Sequence, residues 1–231
     1  MIPYKDDNPT AIVPFVTIGL IAVNCAVFIW QMISPLGMHQ IVMSYGAIPA
    51  NIIKLSSNQP ISPVATVFAA MFMHGGIFHI AGNMLYLWIF GNNIEDALGH
   101  FRYLLFYLFS GIVAAYAHAM TAADSTIPMI GASGAVSGIL GAYLLLFPTA
   151  KVYSIVFIGF IIQRVALPAV FVLGFWIVIQ IINGSVIVNS DSGGVAWFAH
   201  IGGFAAGLIT IKLWLLGRNF KKLRKKQYFK E

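Results

Sequence analysis

The 231 residues are 59 % hydrophobic and 9 % charged, with a mean hydropathy of +0.86, whereas soluble domains run near a quarter charged; an ordinary water-soluble globule is excluded. The net charge of +6 gathers mainly in the basic run of residues 218–231, which reads as a topological anchor and, second, as an attraction to anionic lipid. Membrane lipids are therefore expected partners and nucleic acid is not. The single cysteine, Cys25, falls inside an apolar run, so no intramolecular disulfide can form and the residue reads as packing.

In chain order, residues 1–10 are polar and lack the basic start and cleavage site of a signal peptide, so they are expected to belong to the mature protein. The first apolar run, 12–33, has the roughly twenty residues that a ~30 Å hydrocarbon core requires. Residues 35–76 are broken by Pro35, Gly37, Gly46, Pro49, Pro60 and Pro63, which predicts a long interfacial first loop. Spans at 77–90 and 101–120 follow, separated by the charged, glycine-bearing stretch 91–100, read as a loop or helix end. A short fourth span, 133–147, ends at Pro148. Residues 152–162 are expected to lie in the interface, then a fifth span covers 166–183 with Pro168 in its first turn, and a sixth covers 195–216. The expected fold is thus all-α, a single polytopic membrane domain over 1–231 with six transmembrane helices.

Charge tests that count. With the N-terminus inside, the inner segments carry Lys5, Arg102, Lys151, Arg164 and the seven basic residues of the tail, and the outer loops carry only Lys54. Eleven basic residues against one satisfy the positive-inside rule, with Lys212 left within the sixth span.

The stretch 129–141, MIGASGAVSGILG, is poor lipid-facing helix because six of its thirteen residues are Gly or Ser. Gly134, Gly138 and Gly141 leave one face bare, and Ala199, Gly203 and Gly207 do the same on the sixth span, so the two helices are expected to approach closely. An isolated GxSG would be only a packing seam. Here the second span enters from outside with His79 and Asn83 one turn apart, the fourth enters with Ser133 at its start, and the sixth enters with His200 roughly 8 Å along, so all four residues share one depth. A serine hydroxyl needs an adjacent base, and histidine is the usual one. Ser133 and His200 supply that pair, while the Asn83 amide, His79 and the Ser133 backbone N–H can serve as donors to an oxyanion.

His74-Gly75-Gly76 with His79-x-x-x-Asn83, Gly91-x-x-x-Glu95-Asp96-x-x-Gly99, Gly131-Ala132-Ser133-Gly134 and Ala199-His200-Ile201-Gly202-Gly203 together resemble, in order and spacing, the rhomboid family of intramembrane serine proteases, in its bacterial six-span form. The resemblance implies a Ser133–His200 dyad, an oxyanion hole including His79 and Asn83, and support from Gly131, Gly134 and Gly203. His74 is a further candidate for that hole. It implies transmembrane protein substrates, no cofactor and no metal, and a bacterial cytoplasmic membrane location with both termini cytoplasmic and the site opening outward. Ser137 stands where members often carry an aromatic residue, which leaves the imidazole less restrained or held by the Ser137 hydroxyl or a water.

The remaining polar residues have plainer readings. His118 is expected to pack, His39 and His100 to lie in loops, and Glu95 and Asp96 to partner Arg102 or end a helix; a third triad member would have to come from a loop residue such as Asp191. Two alternatives stand beside the protease: a catalytically inactive relative that binds and escorts membrane proteins, and a metal hydrolase using His74, His79 and His200.

Overall fold

The computed structural model describes residues 1–159, 161–187 and 195–217; the basic tail 218–231 and Asp191 lie outside the described residues. The chain runs β1 (Ile2–Asp6), α1 (Phe15–Ile33), α2 (Met38–Tyr45), α3 (Pro49–Lys54), α4 (Pro63–Ala70), α5 (Ile77–Leu98), α6 (His100–Thr121), α7 (Ser133–Leu146), β2 (Lys151–Ile158), β3 (Ile161–Pro168), α8 (Ala169–Ile187) and α9 (Trp197–Trp214). Among the described residues, three helices are long and apolar enough to cross a membrane: α1, α6 and Ala169–Val186 of α8.

The protein is mostly helical but not all-α. The stretch expected to be interfacial, with the residues just after it, forms a hairpin of β2 and β3, from Lys151↔Pro168 to Ile158↔Ile161, and β1 adds antiparallel to β2 with Asp6 opposite Val152. Val152, Ile155, Val156 and Val165 are β-branched, and Gly159 turns the hairpin at φ 59°. A short apolar run carries the same periodic signal in a strand as in a buried helix, which is why the sequence reading missed it. Pro168 accordingly closes β3, and α8 begins one residue later rather than at 166. Between α1 and α5 the broken stretch coils into the three short helices α2 to α4, and the last of these is capped by Ser62, whose hydroxyl accepts from the Ala65 N–H at 3.2 Å.

Of the two readings of residues 91–98, loop or helix end, the structure shows the second: they continue α5 for two further turns, beyond the expected boundary at 90, to the left-handed Gly99 at φ 74°. The polar groups there are buried against partners, not water. Glu95 is fully buried, and its carboxylate accepts from the backbone N–H groups of Val16 (2.9 Å) and Thr17 (2.8 Å) and from the Thr17 hydroxyl (2.7 Å), while His100 meets it at 2.5 Å. Glu95 thus caps the first turn of α1, where unpaired amides and the helix dipole favour an anion. Its partner is His100 and not the expected Arg102, which donates instead to the carbonyls of Trp214 and Leu216.

At the centre stands α7, buried continuously from Gly134 to Tyr143 and packed against α5, α6 and α9. A Cβ at Gly207 would fall on the Gly138 carbonyl, one at Gly203 on the Gly134 carbonyl, and one at Gly141 on the Phe204 carbonyl. Backbone therefore meets backbone along the expected seam. The far end of α7 is anchored by the N-terminal strand: Asp6 Oδ2 accepts from the Tyr143 hydroxyl at 2.6 Å and from the Asn93 amide at 2.8 Å. Burial, only partly offset by the Tyr143 hydrogen bond, raises the Asp6 carboxyl to about 6.

Candidate active site

Ser133 is the first residue of α7, and the turn before it is set by Gly131 at φ +127°, a conformation that side chains rarely tolerate. The Gly131 N–H donates to the Ala70 carbonyl at 2.8 Å, and Ala47 and Met129 exchange both backbone hydrogen bonds, so the α2–α4 segment holds this turn in place. A Cβ on Gly131 would lie 2.8 Å from His79 Nε2 and 3.4 Å from Ser133 Oγ. Only a glycine lets the imidazole and the hydroxyl face one another across that gap.

His200, in the first turn of α9, is 9 % exposed, and its Nε2 lies 2.8 Å from Ser133 Oγ. The α7–α9 seam makes this contact possible, because one methyl group in it would separate the two helices. On the other side of the ring, His200 Nδ1 is 2.8 Å from Gln180 Oε1 of α8. Trp176, one turn before Gln180, tilts against the imidazole at 5.8 Å between centroids, and Trp197 meets it edge-on at 6.1 Å.

The Gly75 N–H donates to His79 Nδ1 at 3.3 Å, so a neutral His79 carries its proton on Nε2, the nitrogen that faces Gly131 and Ser133. Asn83 is buried, and its side-chain amide donates to the His79 carbonyl at 3.0 Å, which leaves a second amide hydrogen for a ligand. His74 is fully buried, stands edge-on to His79 at 5.1 Å, and has no partner for either ring nitrogen among the described residues; Gln31 of α1 holds its backbone N–H at 3.0 Å and its carbonyl at 3.3 Å. Beside Ser133, a cavity of about 40 Å³ is walled by Ala70, Ala114, Ala115, Gly134 and Ala199.

Some expected roles shift. The Ser137 hydroxyl donates to the Ser133 carbonyl at 2.6 Å and so takes no part in holding His200; the aromatic surface beside the imidazole comes from α8 and α9. His118 lies half-buried on α6 with no partner for Nδ1 among the described residues, His39 is exposed on α2, and His100 is not a loop residue but begins α6 against Glu95. Among the described residues, no three His, Cys, Asp or Glu side chains gather as a metal would need. Gln180 and Trp176 were missed. A glutamine in the middle of an apolar span was the available signal, since polar side chains there are functional suspects by default.

Apolar helices long enough to cross a membrane, enclosing a serine and a histidine in hydrogen-bond contact beside a glycine turn, mark an integral membrane protein. The chain belongs to the rhomboid family: the Rhomboid domain model matches residues 62–217. It is 36 % identical over 138 residues to the Rhomboid protease GluP of Bacillus subtilis (strain 168), covering 60 % of this chain and 24 % of that protein. It is also 27 % identical over 171 residues to Rhomboid protein 1, mitochondrial, of Saccharomyces cerevisiae, covering 70 % and 44 %, and 33 % identical over 137 residues to RHOMBOID-like protein 4 of Arabidopsis thaliana, covering 59 % and 30 %. The matched regions are thus less than half the length of these relatives.

Proposed function

We propose that this protein is an intramembrane serine endopeptidase that cleaves transmembrane proteins near the outer face of a bacterial cytoplasmic membrane. The observation that carries the reading is the 2.8 Å contact between Ser133 Oγ and His200 Nε2. In the first step Oγ bonds to the scissile carbonyl carbon while its proton passes to Nε2. The carbonyl oxygen takes the negative charge and is met by the His79 Nε2–H, the free Asn83 amide hydrogen and the Ser133 backbone N–H, which as a first-turn amide has no intrahelical acceptor. His74 backs this hole through its ring contact with His79. Nε2–H is then given to the leaving nitrogen as the C–N bond breaks, and water, activated by the same imidazole, releases the acyl group. No metal or cofactor enters these steps.

The membrane arrangement belongs to the same proposal. Six spans, α1, α5, α6, α7, α8 and α9, with both termini cytoplasmic, agree with the charge asymmetry of the sequence. The alanine and glycine walls of the cavity beside Ser133 suit a small substrate side chain, and a substrate helix must unwind to present its carbonyl there.

A fluorophosphonate probe on the protein in detergent tests the reading. Labelling of the wild type that is lost in Ser133→Ala, together with EDTA-resistant cleavage of a transmembrane reporter at the outer end of its span, is the expected result. An unlabelled wild type would instead support a binding and escort protein, and EDTA-sensitive cleavage restored by zinc a metal hydrolase.

A further inference from the structure

We propose that Gln180 is the positioning residue of the Ser133–His200 pair, with its side-chain oxygen holding the imidazole in the one tautomer that can accept the serine proton. The proposal rests on the serine-protease reading and adds a helix to the catalytic apparatus, since Gln180 belongs to α8 while the pair belongs to α7 and α9.

The orientation of the Gln180 amide follows from its other contact. Its Nε2 lies 3.0 Å from the Trp176 carbonyl, which can only accept, so the nitrogen is held there and the oxygen faces His200. An amide oxygen can only accept, so His200 Nδ1, 2.8 Å away, must donate. In the neutral imidazole the proton is then on Nδ1, and Nε2 presents its lone pair to the Ser133 hydroxyl at 2.8 Å. A backbone carbonyl one turn away on α8 thus determines, through two hydrogen bonds, which nitrogen is the base. When Nε2 takes the serine proton, Nδ1–H stays on Gln180 Oε1, and when Nε2 passes its proton to the leaving nitrogen the starting tautomer is restored. No proton passes to Gln180 at any point.

The residue type fits the medium. Soluble serine hydrolases commonly use a carboxylate here, and exchanging that carboxylate for an amide costs about 10⁴ in kcat because the amide N–H can turn to the imidazole and impose the wrong tautomer. In this protein the Trp176 carbonyl prevents that turn. A carboxylate would bring a buried charge into an apolar bundle, which is expensive in a membrane, whereas a neutral amide orients the ring without one. Gln180 is 5 % exposed, and Trp176, on the same face of α8, covers the imidazole where Ser137 provides no ring.

Nitrogen-15 NMR of histidine-labelled protein in lipid bilayers, recorded near neutral pH, reads the tautomer directly and does not depend on turnover. The wild type is expected to show His200 protonated at Nδ1 only, identified by the signal lost in His200→Ala. Gln180→Met, close in volume but without an acceptor, should mix or reverse the tautomer and lower kcat about 10²-fold with little change in KM. Gln180→Glu keeps an acceptor oxygen toward Nδ1 and should keep the Nδ1–H tautomer, while its buried charge lowers the thermal stability of the protein. A wild type protonated at Nε2, or a Gln180→Met protein that folds with the wild-type tautomer and kcat, overturns the proposal. An absence of Ser133-dependent labelling in a wild type with the Nδ1–H tautomer would overturn the protease reading and leave the hydrogen-bond assignment intact.

Discussion

The two ends of α7 treat buried polar groups in opposite ways. At the Tyr143 end the carboxylates of Glu95 and Asp6 are surrounded by donors: Glu95 takes two backbone amides, the Thr17 hydroxyl and His100, and Asp6 takes Tyr143 and Asn93. At the Ser133 end His74 has no hydrogen-bond partner within bonding geometry at either ring nitrogen among the described residues, and Asn83 keeps a spare amide hydrogen. A buried group without a partner costs about 1–3 kcal/mol, so a fold retains such groups where something else completes them. The carboxylates of Glu95 and Asp6 are saturated by this fold, and on the proposed reading a substrate supplies what the groups around Ser133 lack. Changes at the Ser133 end should therefore remove activity and leave stability, and changes at the Tyr143 end should do the reverse.

The largest expected effect is that of Ser133→Ala, which on the proposed reading should lower kcat by about 10⁶, as loss of the nucleophile does in a serine protease, with thermal unfolding in detergent unchanged. A large fall in Tm would show that the hydroxyl is structural and would erase the contrast between the ends. Glu95→Ala should be the mirror image. It strips the cap and a set of charge-assisted hydrogen bonds from α1 and should cost about 2–4 kcal/mol, read as a lower Tm, while the protein that remains folded turns over at the wild-type kcat.

Asn83→Ala comes next. Removing one oxyanion donor elsewhere costs about 2.7–4 kcal/mol, and the lower part of that range is expected because His79 and the Ser133 N–H remain. Reporter kinetics should show kcat reduced about 10²-fold with KM little changed; a change confined to KM would make Asn83 a gating or packing residue.

The smallest effect is the pH response of Asp6. Its folded-state value of about 6 lies above the ordinary aspartate value of 3.8, so between those limits the folded protein holds more protons than the unfolded one. Stability attributable to Asp6 is therefore present at low pH and falls as pH rises from about 4 to 6, with a slope of at most about 1.4 kcal/mol per pH unit. Unfolding scans across that window should lose this slope in Asp6→Asn, and an unchanged slope would place the titration elsewhere.

What was legible in the sequence divides along the same line. Ser133, His200, His79 and Asn83 were found because hydroxyl, imidazole and amide groups are conspicuous in apolar helices, and the Gly134–Gly138–Gly141 face because small residues at helical spacing have few other uses. The residues read poorly were polar groups whose partners are far away in sequence. Nothing near Glu95 indicates that its ligands are the amides of Val16 and Thr17, so the sequence left the segment open between a loop and the helix end that it is. The strands were obscured for a different reason: Lys151 to Pro168 is apolar on both faces, and its pairing with residues 2–6 is a long-range contact that no local pattern records.

The cap on α1 also bears on how the chain is made. Val16 and Glu95 are 79 residues apart, and at a synthesis rate of about 5–20 residues per second the carboxylate emerges roughly 4–16 s after the amides it will cover. Until then the first turn of α1 must find its acceptors in water or lipid headgroups, and Glu95 in turn leaves water only when α1 is there to receive it. Each helix end is completed by the other, so the first and second long helices mature as a pair during biogenesis, and a ribosome that stalls between them leaves α1 with its first turn open.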